Sequence, residues 1–70
     1  METLQLTKLQ EDVISVLRTE HLTSFEILKR VNNAQLILVI YNNIDELKSM
    51  GIVNSYSKND IKYHYLTHSN

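Results

Sequence analysis

The sequence predicts an α+β domain in which three helices are followed by a C-terminal β-hairpin. The stretch of residues 33–53 carries an apolar stripe of helical period. The stripe ends before Gly51, which is the only glycine of the 70-residue chain. Two runs rich in β-branched and aromatic residues, 52–56 and 61–66, then flank a polar tetrad, as in a hairpin. Two capping-box patterns upstream mark the starts of two shorter helices. We therefore expect one domain over residues 1–70.

Size and composition limit what this domain can be. A chain of 70 residues without cysteine has neither disulfides nor thiolates, and its core is near the lower limit of self-sufficiency, so a partner chain is plausible. The formal charge of −1, from seven basic and eight acidic residues, does not by itself indicate nucleic-acid binding. The longest apolar run, residues 36–41, is too short to span a bilayer, and no secretory signal is recognisable. We expect a soluble cytoplasmic protein without a membrane partner.

The first helix is predicted over residues 8–20, after an N-terminal arm at residues 1–6. Thr7 and Gln10 have the spacing of a capping box, and the acidic residues that follow suit the positive end of the helix dipole. The residues expected to face the core share one helical stripe: Leu6, Leu9, Val13, Val16 and Leu17.

The second helix is predicted over residues 24–31, after a short link at residues 21–23 that could form a brief strand. Thr23 and Glu26 form the second capping-box pattern, and Leu22 is spaced to pack on Ile27 as a hydrophobic staple. We expect this helix to bury Phe25, Leu28 and Val31, with Lys29 and Arg30 facing outward at its C-terminus.

The third helix is predicted over residues 34–50, after a turn at Asn32 and Asn33. Its expected core stripe is Leu36, Ile40, Ile44 and Leu47. With Gly51 just past the helix end, Leu47 and Ile52 have the spacing of the hydrophobic contact in a Schellman motif.

Three stretches of the chain together resemble a known family of domains. They are Leu22 to Ile27, Leu47-x-x-x-Gly51-Ile52-Val53, and Tyr63-x-Tyr65-Leu66-Thr67. In these the chain resembles the winged helix-turn-helix domains of small bacterial, archaeal and phage transcription regulators, with a pattern similar to MarR-like and PadR-like proteins. The resemblance implies a homodimer that binds double-stranded DNA through helix 3 and the wing. The flanking dimerisation helices of MarR-like proteins have no match, so we expect a differently built dimer.

The predicted outer face of helix 3 gives two interpretations. Gln35 and Asn42 could make paired hydrogen bonds to adenine, whereas Tyr41 and Lys48 could contact phosphates. Leu38, which lies on the same face, and Asp45, which would repel phosphates, are less typical of a DNA-reading surface. The alternative is that Leu38 and Tyr41 anchor a protein partner.

The hairpin also allows two interpretations. Lys58, Lys62 and Asn59 fit a wing that contacts the DNA backbone, although edge lysines also prevent unwanted strand pairing. Tyr63 and Tyr65 share one strand face, which we expect to pack on helices 1 and 3. A stacking platform for single-stranded nucleic acid is the alternative.

No catalytic or metal site is predicted. His64 should lie on the opposite strand face, His21 in a loop, and neither has a partner at metal-ligand spacing. A single glycine excludes a Gly-rich phosphate loop, and no set of acids and serines forms a convincing catalytic constellation. We expect a non-enzyme without a cofactor: a DNA-binding transcriptional regulator or, alternatively, a winged-helix module that binds a protein.

Overall fold

The computed structural model, which describes residues 5–31 and 36–67, confirms the α+β winged-helix arrangement. The elements follow in the order α1 (Lys8–Leu17), α2 (Ser24–Arg30), α3 (Ile37–Ser49), β1 (Val53–Lys58) and β2 (Ile61–Leu66). In the described part of the chain, no helix is long and apolar enough to cross a membrane.

Both predicted capping boxes are present. Thr7 Oγ1 accepts a hydrogen bond from the Gln10 amide at 3.1 Å, and the Gln10 side chain accepts one from the Thr7 amide at 2.9 Å. Thr23 and Glu26 make the equivalent pair at the start of α2. These contacts satisfy amide groups that have no partner within the helix.

The first helix is three residues shorter than predicted. It ends at Leu17, where the Arg18 amide donates to the Ser15 carbonyl in a tightened last turn. The chain must leave the helix here because Leu22 pairs with His64 on the hairpin through two backbone hydrogen bonds, of 3.1 and 2.8 Å. The brief strand expected at residues 21–23 is thus a single-residue bridge.

The predicted inward face of α2 was wrong at Phe25, whose side chain is 59% exposed. The face that turns to the core holds Ser24, Ile27 and Val31, at spacings of three and four residues, and Leu28 is only partly buried. Phe25 lies 100° around the helix from Ser24, and this rotation brings it to solvent.

The third helix begins at Ile37, and the prediction that Leu36 lies in its core stripe was wrong. Leu36 is the N-cap residue with extended backbone angles, and its side chain is 75% exposed. The predicted residues 34–35 and the turn at Asn32 and Asn33 lie outside the described residues, as do most of the expected arm and the chain end.

The predicted Schellman motif is present at the end of α3. Gly51 has φ +78°, its amide donates to the Lys48 carbonyl at 3.0 Å, and the Ile52 amide donates to the Leu47 carbonyl at 2.9 Å. A Cβ at Gly51 would meet no atom within 4 Å, so glycine is favoured there by backbone conformation alone.

The hairpin turn is tighter than the predicted tetrad. Lys58 pairs directly with Ile61, which leaves a two-residue turn at Asn59 and Asp60 with φ values of 53° and 66°. Two positive φ angles are typical of a type I′ turn, whose twist matches that of the strands. Lys58 and Lys62, on either side of the turn, are therefore strand residues and not loop residues.

One apolar core lies between the three helices and the start of β1. Ile40, Ile44 and Leu47 confirm the rest of the predicted α3 stripe. Among residues 5–31 and 36–67, the buried apolar residues are Val13, Leu17, Leu22, Ile27, Val31, Ile40, Ile44, Leu47 and Val53. Gln10, which is 3% exposed, donates from Nε2 to Glu46 at 2.8 Å and so ties α1 to α3.

Candidate nucleic-acid interface

The outer face of α3 presents four of the eight residues that were predicted to contact DNA. Leu38 is 66% exposed and Tyr41 40% exposed, Asn42 is exposed, and Lys48 is half-buried in the last turn of the helix. Gln35, also predicted on this face, lies outside the described residues. The face is thus accessible but mixed, with an apolar N-terminal half and a polar C-terminal half.

The wing does not bring its two lysines together. Residues that pair across the strands share a face, so Lys62 lies with Ser57, Ser55 and His64 on what we call the inner face of the hairpin. Lys58 lies with Ile61 on the opposite, outer face. Asn59 occupies the exposed turn between them. The predicted backbone-contacting set of Lys58, Asn59 and Lys62 is therefore divided between two faces.

The inner face of the hairpin and the polar half of α3 enclose a groove of about 320 Å³. Tyr41, Asp45 and Lys48 line it from α3, and Lys62 and His64 line it from β2. Ser24 and Ile44 complete its lining. The groove brings together Lys48, which was predicted to contact phosphates from helix 3, and Lys62, which was predicted to contact the DNA backbone from the wing.

His64 connects this groove to the core. Its Nε2 is 2.9 Å from Ser24 Oγ and its Nδ1 is 2.7 Å from Ser55 Oγ, so both ring nitrogens have hydroxyl partners. Burial, followed by the positive charges of Lys48 and Lys62, lowers the pKa of the imidazole to about 4, and Asp45 opposes this shift. The ring is therefore neutral at physiological pH.

The prediction that the tyrosine face of the hairpin packs on helices 1 and 3 was wrong. The inner face, with His64 and Val53, is the one that meets the core. On the outer face the rings of Tyr56 and Tyr63 stack with centroids 5.7 Å apart, and Tyr65 lies 5.8 Å from Tyr56. His21 joins them, with Nδ1 2.8 Å from the Tyr56 hydroxyl.

Sequence reasoning missed Ser24 and His64 as residues beside the candidate interface. Ser24 was read only as the first residue of α2, and His64 only as a histidine without a metal partner. Strand alternation did place Lys62 and His64 on one face, and this was the available signal. What it could not give is the angle between hairpin and α2 that brings His64 onto Ser24.

Other charged groups are used within the fold. Arg30 forms an ion pair of 2.6 Å with Glu20, and Lys8 pairs with Asp12 at 3.3 Å. By contrast, no ion pair of Lys48, Lys58 or Lys62 occurs among residues 5–31 and 36–67. Within the same ranges, no group of three or more His, Cys, Asp or Glu side chains is arranged to hold a metal ion.

Comparison with known proteins supports the fold. The chain matches no protein-family model and no curated protein sequence. Among solved structures, it is similar to a point mutant of ZitR from Lactococcus lactis, with a TM-score of 0.85, 14% identity, and coverage of 97% of this chain and 47% of that one. It is also similar to the ferric uptake regulator from Francisella tularensis with iron, with a TM-score of 0.71, 18% identity, and coverage of 100% and 60%.

These similarities define the class of fold: the chain is a winged-helix domain. Its length corresponds to about half of the ZitR chain and three-fifths of the ferric uptake regulator chain. At such low identity the shared feature is the arrangement of three helices and a hairpin, and function depends on the surface residues of this chain.

Proposed function

We propose that the protein is a small DNA-binding transcriptional regulator that reads duplex DNA with α3 and the wing. The observation that supports this most is the accessible polar half of α3 beside the hairpin, where Lys48 and Lys62 line one groove. In a winged helix this is the side on which the second helix of the helix-turn-helix meets the major groove. The similarity to the ferric uptake regulator and to ZitR agrees with a regulator of this general kind.

In this proposal each exposed side chain has a separate task. Asn42 hydrogen-bonds to a base edge, Tyr41 and Lys48 contact phosphates beside it, and Lys62 and Lys58 contact the backbone from the two faces of the hairpin. With a net charge of −1, affinity depends on these local cations and not on the overall field of the protein. Gln35 keeps its predicted base contact as part of the proposal.

The proposal includes a homodimer in the cytoplasm, a kinship with MarR-like or PadR-like regulators, and no enzymatic activity. In the described part of the chain, the Ser24–His64 pair is the one arrangement that could suggest a nucleophile and base. A pKa of about 4 makes His64 a weak base at neutral pH, and its other nitrogen is oriented by a serine and not by a carboxylate. A structural role for the pair is the better-supported interpretation.

A protein-binding winged helix is the second candidate, and exposed apolar side chains favour it. Leu36, Leu38 and Phe25 are each more than half exposed, and two of them lie at the N-terminal end of α3. Water-exposed residues of this size are common in protein interfaces and uncommon on DNA-reading helices. In this case Leu38 and Tyr41 would be the anchors of the interface.

The deciding experiment is binding of the purified protein to random-sequence duplex DNA and to its own upstream region, with salt titration and light scattering. If DNA is the partner, the logarithm of affinity should fall with the logarithm of salt with a slope of about 2 to 3 per protomer, as expected for three lysine contacts. Lys58→Gln and Lys62→Gln should each lower that slope by about 0.9.

Two variants provide the controls. Lys8→Gln changes the net charge by the same amount but affects a lysine already paired with Asp12 in α1, so the salt slope should not change. Leu38→Ala should change the affinity for DNA little. If α3 instead contacts a protein, the same substitution should abolish binding to that protein partner. Absence of DNA binding even at low salt would contradict the proposed function.

A further inference from the structure

The groove between α3 and β2 is lined by two lysines and one aspartate, so its lining carries a net positive charge. Lys48 enters it from the last turn of α3, and Lys62 from the hairpin. Across residues 5–31 and 36–67, neither lysine forms an ion pair, although Asp45 lines the same groove. A groove of about 320 Å³ is at the lower end of the size range of small-ligand sites.

The two ammonium groups also act on one place in the groove, the His64 ring. Both Lys48 and Lys62 lower the pKa of His64, whose ring lies at the inner end of the groove. Charges on two separate elements therefore converge on the same buried imidazole. Because that imidazole is neutral and both its nitrogens are bonded to serines, it neither competes for an anion nor adds a third charge.

The chemistry of the lining selects the class of ligand. Two cationic donors from facing elements, with Tyr41 on the same groove, suit an oxyanion that can accept several hydrogen bonds at once. A phosphate group has this capacity on several oxygens. Asp45 reduces the net charge of the lining to about one positive unit, so the site should be weak for a free anion and sensitive to the removal of this carboxylate.

We propose that this groove is a phosphate site in which Lys48 and Lys62 share a single phosphate group. The phosphate is either a phosphodiester of the DNA backbone or part of a small free molecule, and the same contacts serve both. The DNA form of this inference rests on the proposed function, whereas the free-phosphate form does not. A consequence is that free phosphate competes with DNA for the groove beyond its effect on ionic strength.

The first arm of the test uses inorganic phosphate and no DNA. Amide resonances of the intact chain are followed by NMR as phosphate replaces chloride at constant ionic strength. Saturable shifts are expected at Asp45, Lys48 and Lys62. Lys48→Gln and Lys62→Gln should each weaken binding on the order of fivefold, and Asp45→Asn should strengthen it on the order of threefold. Lys8→Gln, which changes a lysine that pairs with Asp12 on α1 and does not line the groove, is the matched control and should have no effect.

The second arm measures DNA binding with the same variants. If the two lysines share a phosphate, Lys48→Gln and Lys62→Gln should be non-additive, so that the double variant binds DNA only slightly more weakly than either single variant. Replacing chloride by phosphate at constant ionic strength should weaken DNA binding by the wild type but not by the double variant.

The outcomes separate the two proposals. DNA binding with additive lysine effects and no specific phosphate effect would overturn the shared site while leaving the proposed function intact. Saturable phosphate binding at the groove without DNA binding would support the shared site with a small molecule as its source, and contradict the proposed function. If neither saturable phosphate shifts nor non-additivity are found, the inference is wrong.

Discussion

The two faces of the hairpin differ in their side chains and in how far these are buried. The inner face presents a small polar set in which His64 lies between Ser24 and Ser55: His64 and Ser24 are buried, Ser55 is half-buried, and both ring nitrogens of His64 have a hydroxyl partner. The outer face presents the larger side chains, Tyr56 and Tyr63 among them, yet it remains at the surface. Burial in this small domain therefore follows which face meets the helices, and a satisfied polar group can take a core position that an aromatic ring does not.

The largest expected effect of this difference is on stability when His64 is removed. His64→Ala would leave the Ser24 and Ser55 hydroxyls without their partner and open a cavity, so the free energy of unfolding should fall by about 3 kcal/mol. Urea unfolding followed by circular dichroism measures this. His21→Ala, which removes a histidine from the outer cluster, is the control and should cost less than about 1 kcal/mol. Equal losses would refute the contrast between the faces.

Lowering the pH should reduce the free energy of unfolding of the wild type, as the His64→Ala substitution does. The folded-state pKa of His64, about 4, lies below its unfolded value of about 6.5, so folding favours the neutral ring. This contribution is complete above pH 6.5 and is lost as the pH falls through 4, by an amount of about 3 kcal/mol. His64→Gln should flatten the stability curve between pH 6.5 and 4. An unchanged slope in that variant would assign the acid sensitivity to other groups.

A smaller effect is expected on the outer face. Tyr63→Ala breaks a stacked cross-strand pair with Tyr56 that is accessible to water, so the loss should be about 1 kcal/mol or less. The variant should keep the melting behaviour of the wild type to within a few degrees by calorimetry. A loss as large as that of His64→Ala would mean that the tyrosine cluster is covered by another chain in solution.

The smallest effect concerns the turn that sets the register of both faces. Asp60 has φ 66°, and Asp60→Gly would place the preferred residue in the type I′ turn, so stability should rise by about 0.5 kcal/mol. Ser57→Gly makes the same kind of change in β1 and should instead lower stability by about 0.5 to 1 kcal/mol. Thermal unfolding of both variants tests this. Destabilisation by Asp60→Gly would indicate a different turn and a different pairing of the strands.

Local signals in the sequence were sufficient for much of the fold. Thr7 and Thr23 with their capping partners, and Gly51 with Ile52, depend on contacts within six residues, and each was predicted correctly. The predictions that Leu36 and Phe25 are buried were wrong for a shared reason. Each lies near a helix start, where one residue of shift or 100° of rotation decides between core and solvent.

The candidate site was less predictable because it depends on how separate elements meet. Alternation along β2 gave two possible faces, and the presence of tyrosines favoured the wrong one. What decides the orientation is the bridge between Leu22 and His64 and the hydrogen bond to Ser24, contacts across about 40 residues. The pairing of Lys48 with Lys62 in one groove follows from that orientation, and neither residue alone could indicate it.

The central claim, that α3 and the wing bind duplex DNA, is tested most directly by an NMR titration of the protein with a short DNA duplex at low salt. The account predicts shifts of the Tyr41, Asn42, Lys48 and Lys62 amides, with smaller changes at Lys58, and a reversal of all of them as salt is added. Absence of shifts, or shifts confined to Leu36, Leu38 and Phe25 that do not respond to salt, would contradict it.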